Sequence, residues 1–218
     1  MKFGDAFTYV FQDPDWFKKI IIPGLIGLLL PIIGQMVLLG WSLKVTLNVI
    51  RNDPSPLPEM DFGEDLSRGF KAWVVALVYA IPMIILYIPV MIAAILSGNA
   101  NDSNSMMVIV AIASTCFGLL MMLYGILMTL VLPAAYARVA VNDSIGSGLA
   151  FGEVIGMVRK NFMPYLLVFV GSIAAGFISS LGSIACVIGI FLTVPYSMAI
   201  LGHLYGQAYM EARDLHST

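Results

Sequence analysis

The sequence predicts an all-α integral membrane protein, and three observations carry that prediction. Apolar residues make up 60% of the chain and charged residues 11%, against roughly 45–50% and about 25% in soluble domains. Long apolar runs fill residues 20–50, 72–97, 106–137 and 162–208. Each exceeds the roughly 18 residues that mark a spanning helix. Charges collect in the segments between the runs, as they must when the runs are solvated by lipid.

The elements follow in chain order. Asp5, Asp13, Pro14 and Asp15 precede the first run and no clean small-residue cleavage site follows it, so insertion without processing is expected. The run 20–50, about 31 residues, would be roughly 46 Å long as one helix, too long for a hydrocarbon core of about 30 Å. Pro31 and Gly34 in "LLLPIIGQ" break it into a tight hairpin. The run 72–97 stops at the turn cluster "SGNANDSNS", and a further span begins at Met106. The last run is long enough for two spans, with its weak point in "SSLGSIACVIG". The expectation is therefore one transmembrane domain, residues 1–218, with six transmembrane helices arranged as three parallel hairpin repeats over approximately 1–53, 60–143 and 148–212.

Charge placement gives the predicted orientation. In this six-span arrangement all 11 Lys and Arg residues fall on one side, and the turns around Pro31, Asn101 and Ser183 carry none. Basic residues near helix ends concentrate on the cytoplasmic face, which places both termini in the cytoplasm.

Residues 59–67, "EMDFGEDLS", contain the Asp-Phe-Gly triplet with which protein kinases hold magnesium. The Gly-rich loop, the strand lysine and the H-R-D-L loop that such a site needs are missing from the sequence. The triplet belongs instead to a recurrence of Phe-Gly-acid at Phe3, Phe62 and Phe151, each just before a hairpin. The exits "NVIRND" and "RVAVND" echo one another, and "PIIGQMVLLGWS" from Pro31 parallels "CVIGIFLTVPYS" from Cys186. Apolar residues spaced one helical face apart, Phe3, Phe7, Val10 and Phe11 in the first copy, predict a cytoplasmic amphipathic helix before each hairpin. Phe62, Leu66 and Phe70 form the second such face, and Phe151, Ile155, Val158 and Phe162 the third. Gly4, Gly63 and Gly152 fit helix starts, with Asp5, Glu64 and Glu153 complementing the helix dipole. Trp16, Trp73 and Tyr165 follow these helices and are expected as interfacial anchors.

Little in the chain points to catalysis. H-E-x-x-H, G-x-S-x-G, P-loop and C-x-x-C patterns do not occur, and paired carboxylates stand only in the connections "EMDFGED" and "QDPDW". No catalytic, cofactor-binding or metal-binding residue is expected, no nucleic-acid partner, and the protein reads as a non-enzyme. Cys116 and Cys186 lie within apolar runs without ligand spacing and read as small buried hydrophobes. The Met-rich "GLLMMLYGILMTL" reads as adaptable core, and Pro82, Pro89, Pro133 and Pro195 as kinks.

Lys44 in "WSLKVTLNVI" is the sharpest single residue, since a lysine within a span is a functional candidate by default. Its stem can snorkel to the interface, it can line a polar cavity with Gln35 and Asn48, or it can form an ion pair within the protein. His203 occupies the position matching Asn48 in the paralleled helices, which adds it to the candidate cavity. Gly202 and Gly206 around it form a G-x-x-x-G spacing, and Gly148, Gly152 and Gly156 form a second small-residue ladder; both are expected to pack helices closely.

The segments "FGDAFTYVFQDPDWFKKI", "RNDPSPLPE", "GFKAW" and "GHLYGQAY" together resemble an uncharacterised family of polytopic membrane proteins of bacteria and archaea, a domain of unknown function. The likeness covers nearly the whole chain and implies the fold without implying an activity. More distantly, "ARVAVNDSIGSGLAFGEVIGMVRKNFMPYL" is similar to a repeat linker in the membrane domain of some glycerophosphodiester phosphodiesterases. These resemblances imply a multi-pass protein of the inner, cytoplasmic membrane. The function expected is a lipid-binding or membrane-organising module whose partners are membrane lipids, further copies of itself or other membrane proteins. The alternative is a permease or channel for a small solute with a polar path near Lys44.

Overall fold

A computed structural model describes residues 1–55, 57–98, 104–184 and 186–214, and every regular element among them is helical. Helix α1 (Asp5–Thr8) runs into a 3-10 turn at Tyr9–Gln12, and α2 (Trp16–Leu29) and α3 (Ile33–Arg51) form the first hairpin. The break falls at Leu30 to Ile32, where Pro31 was expected to place it. It is built as a γ-turn: Ile33 N–H donates to Pro31 O at 2.8 Å across Ile32, whose φ is 67° and ψ −63°. A β-branched residue in this region is strained. Beside the turn, a Cβ on Gly34 would overlap the Ile26 carbonyl, so only glycine lets α3 start this close to α2.

Helices α4 (Phe62–Gly98) and α5 (Asn104–Asn142) follow, then α6 (Ile145–Gly148), α7 (Phe151–Lys160), α8 (Phe162–Ile184) and α9 (Cys186–Asp214). The expected turn around Asn101 lies outside the described residues. Among the described residues, four segments are long and apolar enough to cross a membrane, by length and composition: Ile33–Arg51, Phe62–Ile95, Val110–Asn142 and Phe162–Gly182. Helix α2, with 14 residues, rises only about 21 Å. In α9, Thr193, Ser197, His203 and Gln207 dilute the apolar character.

The three Phe-Gly-acid segments take three different forms. The first breaks into α1 and the 3-10 turn, ending at the bend before Pro14, and the third is the separate helix α7, ended at Asn161. The second has no breaker between Phe62 and Trp73 and is simply the beginning of α4. Gly4 caps α1, whereas Gly63 and Gly152 sit second in their helices. The cap of α4 is Asp61, the Asp of the triplet: its Oδ1 accepts Glu64 N–H at 2.9 Å, while Asp65 Oδ2 accepts Asp61 N–H at 2.9 Å. This is reciprocal capping one residue longer than the usual box.

The chain divides into two compact units, Met1–Val75 with Leu130–Thr218, and Ala76–Thr129. The first has a core of Tyr9, Val10, Ile20, Leu38, Trp41, Val45, Leu57 and Ala199. Trp41 Nε1 donates to Pro58 O at 3.2 Å, tying the connection after α3 to that core. Two tyrosines fasten the N-terminal segment to α9 reciprocally: Tyr9 Oη donates to Ala199 O at 3.0 Å and Tyr196 Oη to Phe7 O at 2.6 Å. The second unit holds the C-terminal part of α4 and the N-terminal part of α5. Tyr124 Oη donates to Tyr79 O at 2.6 Å within it. Many of its apolar side chains are exposed, among them Ile84, Ile88, Ile92, Leu119 and Leu123, while one face of each helix is half-buried. Cys116 is exposed here rather than buried, because α5 shields few of its faces; the Cys186 side chain lies outside the described residues.

Candidate functional site: a polar cleft between the N-terminal segment and the ends of α3 and α9

Small residues bring α3 and α9 together. A Cβ on Gly202 would overlap Ser42 O, and one on Gly206 would stand 2.7 Å from Val49 Cβ and 2.8 Å from Thr46 O. Hydroxyls stitch the same surface, with Ser42 Oγ donating to Met198 O at 2.7 Å and Thr46 Oγ1 to Gly202 O at 2.9 Å. Such close backbone approach is how helices associate where lipid gives no hydrophobic drive.

One turn beyond this seam the helices flank a cleft of about 640 Å³, lined by Asn48, Asn52 and Ser55 on one side and His203 and Gln207 on the other. Tyr9 and Gln12 close it from the N-terminal segment. Asn52, in the left-handed conformation with φ 52°, ends α3 and turns the chain along the rim, where Asp53 N–H reaches back to Asn48 O at 2.9 Å. Asp53 Oδ1 then accepts Ser55 N–H at 2.9 Å, fixing the next bend.

The His203 ring stacks on Tyr9 with centroids 4.3 Å apart. Gln207, one turn further along α9, places Nε2 3.2 Å from His203 Nδ1 and donates to Lys2 O at 3.3 Å. With the amide as donor, Nδ1 accepts and the ring proton belongs on Nε2. Gln207 Oε1 is buried and accepts no hydrogen bond among the described residues. Charge on the lining is balanced, with Lys2 and the Met1 ammonium against Asp53 and Glu211, and Met1 is paired with Glu211.

Of the four candidate cavity residues, the structure brings together Asn48 and His203. Gln35 is elsewhere on α3, donating from Nε2 to Gly27 O at 2.8 Å beside the hairpin turn. Lys44 points to α4: its Nζ lies 2.9 Å from Asp65 Oδ1 and 3.5 Å from Glu64 Oε2, and donates to Glu59 O at 3.2 Å. The ion pair, the third of its possible roles, is the arrangement found. Asp65 is 0% exposed, and Arg68 adds a bond from Nη2 to Glu64 Oε1 at 2.7 Å. This cluster sits where α3 crosses α4 at Gly40 and Gly69, whose missing side chains leave the two backbones in contact. Nothing in the sequence pairs Lys44 with a particular acid, since the partner is set by that crossing.

The remaining candidates separate in the same way. Gly148 packs tightly, a Cβ there standing 2.7 Å from Val139 Cγ2, but Gly152 and Gly156 face open space and pack against nothing. Trp16 lies between Phe11 and Phe17, and Trp73 is exposed on α4. Tyr165 is buried, 1% exposed, with its hydroxyl lacking a hydrogen-bond partner among the described residues. It is core rather than an interfacial anchor, because α8 turns that face inward. A second ionic tie joins the N-terminal segment to the connection after α3: Lys19 Nζ meets Asp13 Oδ2 at 2.8 Å and Leu57 O at 3.0 Å. Gln12, Asn52 and Gln207 were not singled out in the sequence, although "HLYGQ" places Gln207 one turn from His203 and on its face.

No curated protein and no solved structure matches this chain. Residues 24–188 match the family described as "Protein of unknown function (DUF4013)". That match spans most of the polypeptide, from the last residues of α2 through α3 with its seam residues and α4 to α8, and on it the chain belongs to the DUF4013 family.

Proposed function

We propose that the protein is a non-enzymatic, multi-pass protein of the inner, cytoplasmic membrane that binds lipids and organises the membrane around it. The observation that carries this reading is the unit Ala76–Thr129, where the helices are apolar on every face and most of their large apolar side chains are exposed. A helix hydrophobic all round is stable only when surrounded by lipid or by other helices. Six spans in three parallel hairpins is the topology we assign, with a separate helical segment before the first and third hairpins and α4 continuous at the second. Supporting it, Gly182 and Gly189 stand at the positions matching Gly27 and Gly34 when Cys186 is laid on Pro31, and both pairs make a close glycine contact beside a helix junction. Both termini belong to the cytoplasmic side in this reading. In keeping with it, Lys2 is hydrogen-bonded to Gln207 and Met1 is paired with Glu211, so the first residues lie beside the last turns of α9.

A permease with a polar path near Lys44 is the second reading, favoured by the cleft itself. Against it, the polar lining stops where α3 and α9 meet at Ser42 and Gly202, and Lys44 is occupied by Asp65. The test is photo-crosslinking in native membranes with a bifunctional phosphatidylcholine, followed by native mass measurement from mild detergent. Retained lipid on the Ala76–Thr129 helices is the expected result. Recovery of neither lipid nor protein neighbours would sink the proposal, and saturable solute uptake by the unsubstituted protein in proteoliposomes would establish the permease instead.

A further inference from the structure

We infer that the cleft between Asn48, His203 and the N-terminal segment is a binding site for an uncharged polyhydroxylated group, a sugar or similar polyol, carried on a lipid headgroup or free in solution. The inference deepens the lipid-binding reading and rests on it for the lipid source. Four carboxamides, Gln12, Asn48, Asn52 and Gln207, line one cleft. Each offers two N–H donors and a carbonyl acceptor, and a hydroxyl group is likewise donor and acceptor at once. A set of amides therefore pairs with successive hydroxyls as neither a carboxylate cluster nor an arginine fork does.

Charge points the same way. Two cationic and two anionic groups border the cleft and offset one another, so an ionic ligand finds no net field to hold it. Gln207 Oε1 is a buried acceptor without a donor among the described residues, on an amide whose nitrogen is already committed to Lys2 O and His203. A buried acceptor left unmet is costly, and a ligand O–H at this position relieves that cost. Among the described residues the Asn48 side chain is held only by a long 3.5 Å bond from Nδ2 to Ser55 O, which leaves its Oδ1 for a second hydroxyl. The volume, about 640 Å³, is within the range of small-molecule sites and takes a sugar ring with its linkage.

The experiment is native mass measurement of the full chain from mild detergent, titrated with monoglucosyl-dioleoylglycerol, with D-glucose as competitor and dioleoyl-phosphatidylcholine as reference lipid. Saturable retention of the glucosyl lipid above the reference is expected, weakened about fivefold by Asn48→Ala and about fivefold by Gln207→Leu, one hydrogen bond each. Gln12→Ala, an exposed residue on the rim, keeps the test open if either of those variants fails to fold. Competition by glucose assigns the site to the sugar itself; retention without competition assigns it to a headgroup that needs its acyl chains. Retention equal to phosphatidylcholine, or unchanged in every folded variant, overturns the inference while leaving the lipid-binding reading in place. Loss of all lipid adducts overturns both.

Discussion

Replacing Gly40 by alanine isolates the crossing of α3 and α4. In a helix interior the change is favourable by itself, by about 1 kcal/mol, because glycine loses more backbone freedom on folding. At this position the new Cβ would stand 2.6 Å from Asp65 C and 2.8 Å from Gly69 N, with the Asp65 carbonyl oxygen nearer still. These are backbone atoms and cannot swing aside, so the helices must part by about 1.5 Å to reach ordinary contact. Parting stretches the 2.9 Å pair of Lys44 with Asp65 on the same crossing. Overpacking of about 1–3 kcal/mol, with a share of the buried pair added, outweighs the helix gain and leaves a net loss of about 2 kcal/mol. For a chain of this length that is a fall in Tm of about 4–8 °C. The assay is thermal unfolding in mild detergent, run beside Gly176→Ala, where a Cβ meets nothing within 4 Å. Gly176→Ala is expected to raise Tm slightly. If both substitutions move Tm in the same direction, glycine at residue 40 is not there for the crossing and the reasoning fails.

Three more expectations follow from the ionic and hydroxyl contacts. Lys44→Met strips the counter-charge from the buried Asp65 and is expected to cost about 3–5 kcal/mol, part of which Asp65→Asn restores when combined with it; chemical denaturation of the singles and the double measures the coupling. Asp13 is pushed up by burial but held below its ordinary 3.8 by Lys19 and by the N–H groups of Asp15 and Leu57. Its contribution is therefore complete above that pH and is lost as pH falls through the carboxylate range, so Tm followed from about pH 6 to about pH 3 should fall less steeply in Asp13→Asn. Tyr165→Phe removes a buried hydroxyl that has no partner among the described residues, and its unfolding free energy should change by less than about 0.5 kcal/mol; a loss above about 2 kcal/mol would mean that the hydroxyl is bonded after all.

Helix boundaries were legible where a residue with fixed backbone chemistry stood at them. Pro31 located the first turn, and the Asp of "DFG" marked a helix start, although the cap proved to be Asp61 rather than Gly63. The three Phe-Gly-acid segments looked alike because they share an apolar spacing. Whether each became a separate helix depended on a breaker further on, Pro14 or Asn161, and the second copy has none. Among the candidate site residues, Asn48 was named as a neighbour of Lys44 and His203 was added through the parallel between two helices, a relation within the sequence itself. The partner of Lys44, the burial of Tyr165 and the open surroundings of Gly152 and Gly156 depend on which helix lies alongside, and one-dimensional spacing does not carry that information.

The reciprocal tyrosine bonds have a consequence for biogenesis. Tyr9 and Phe7 emerge early in synthesis, whereas Ala199 and Tyr196, which complete them, emerge about 190 residues later. Contacts so distant along the chain form only after the intervening loop has closed. Until α9 is made, the N-terminal segment can meet α2 and α3 but lacks the partners of both tyrosine bonds. The helix synthesised last thus latches the segment synthesised first, and a nascent chain halted before α9 would present that segment to the quality-control machinery of the membrane.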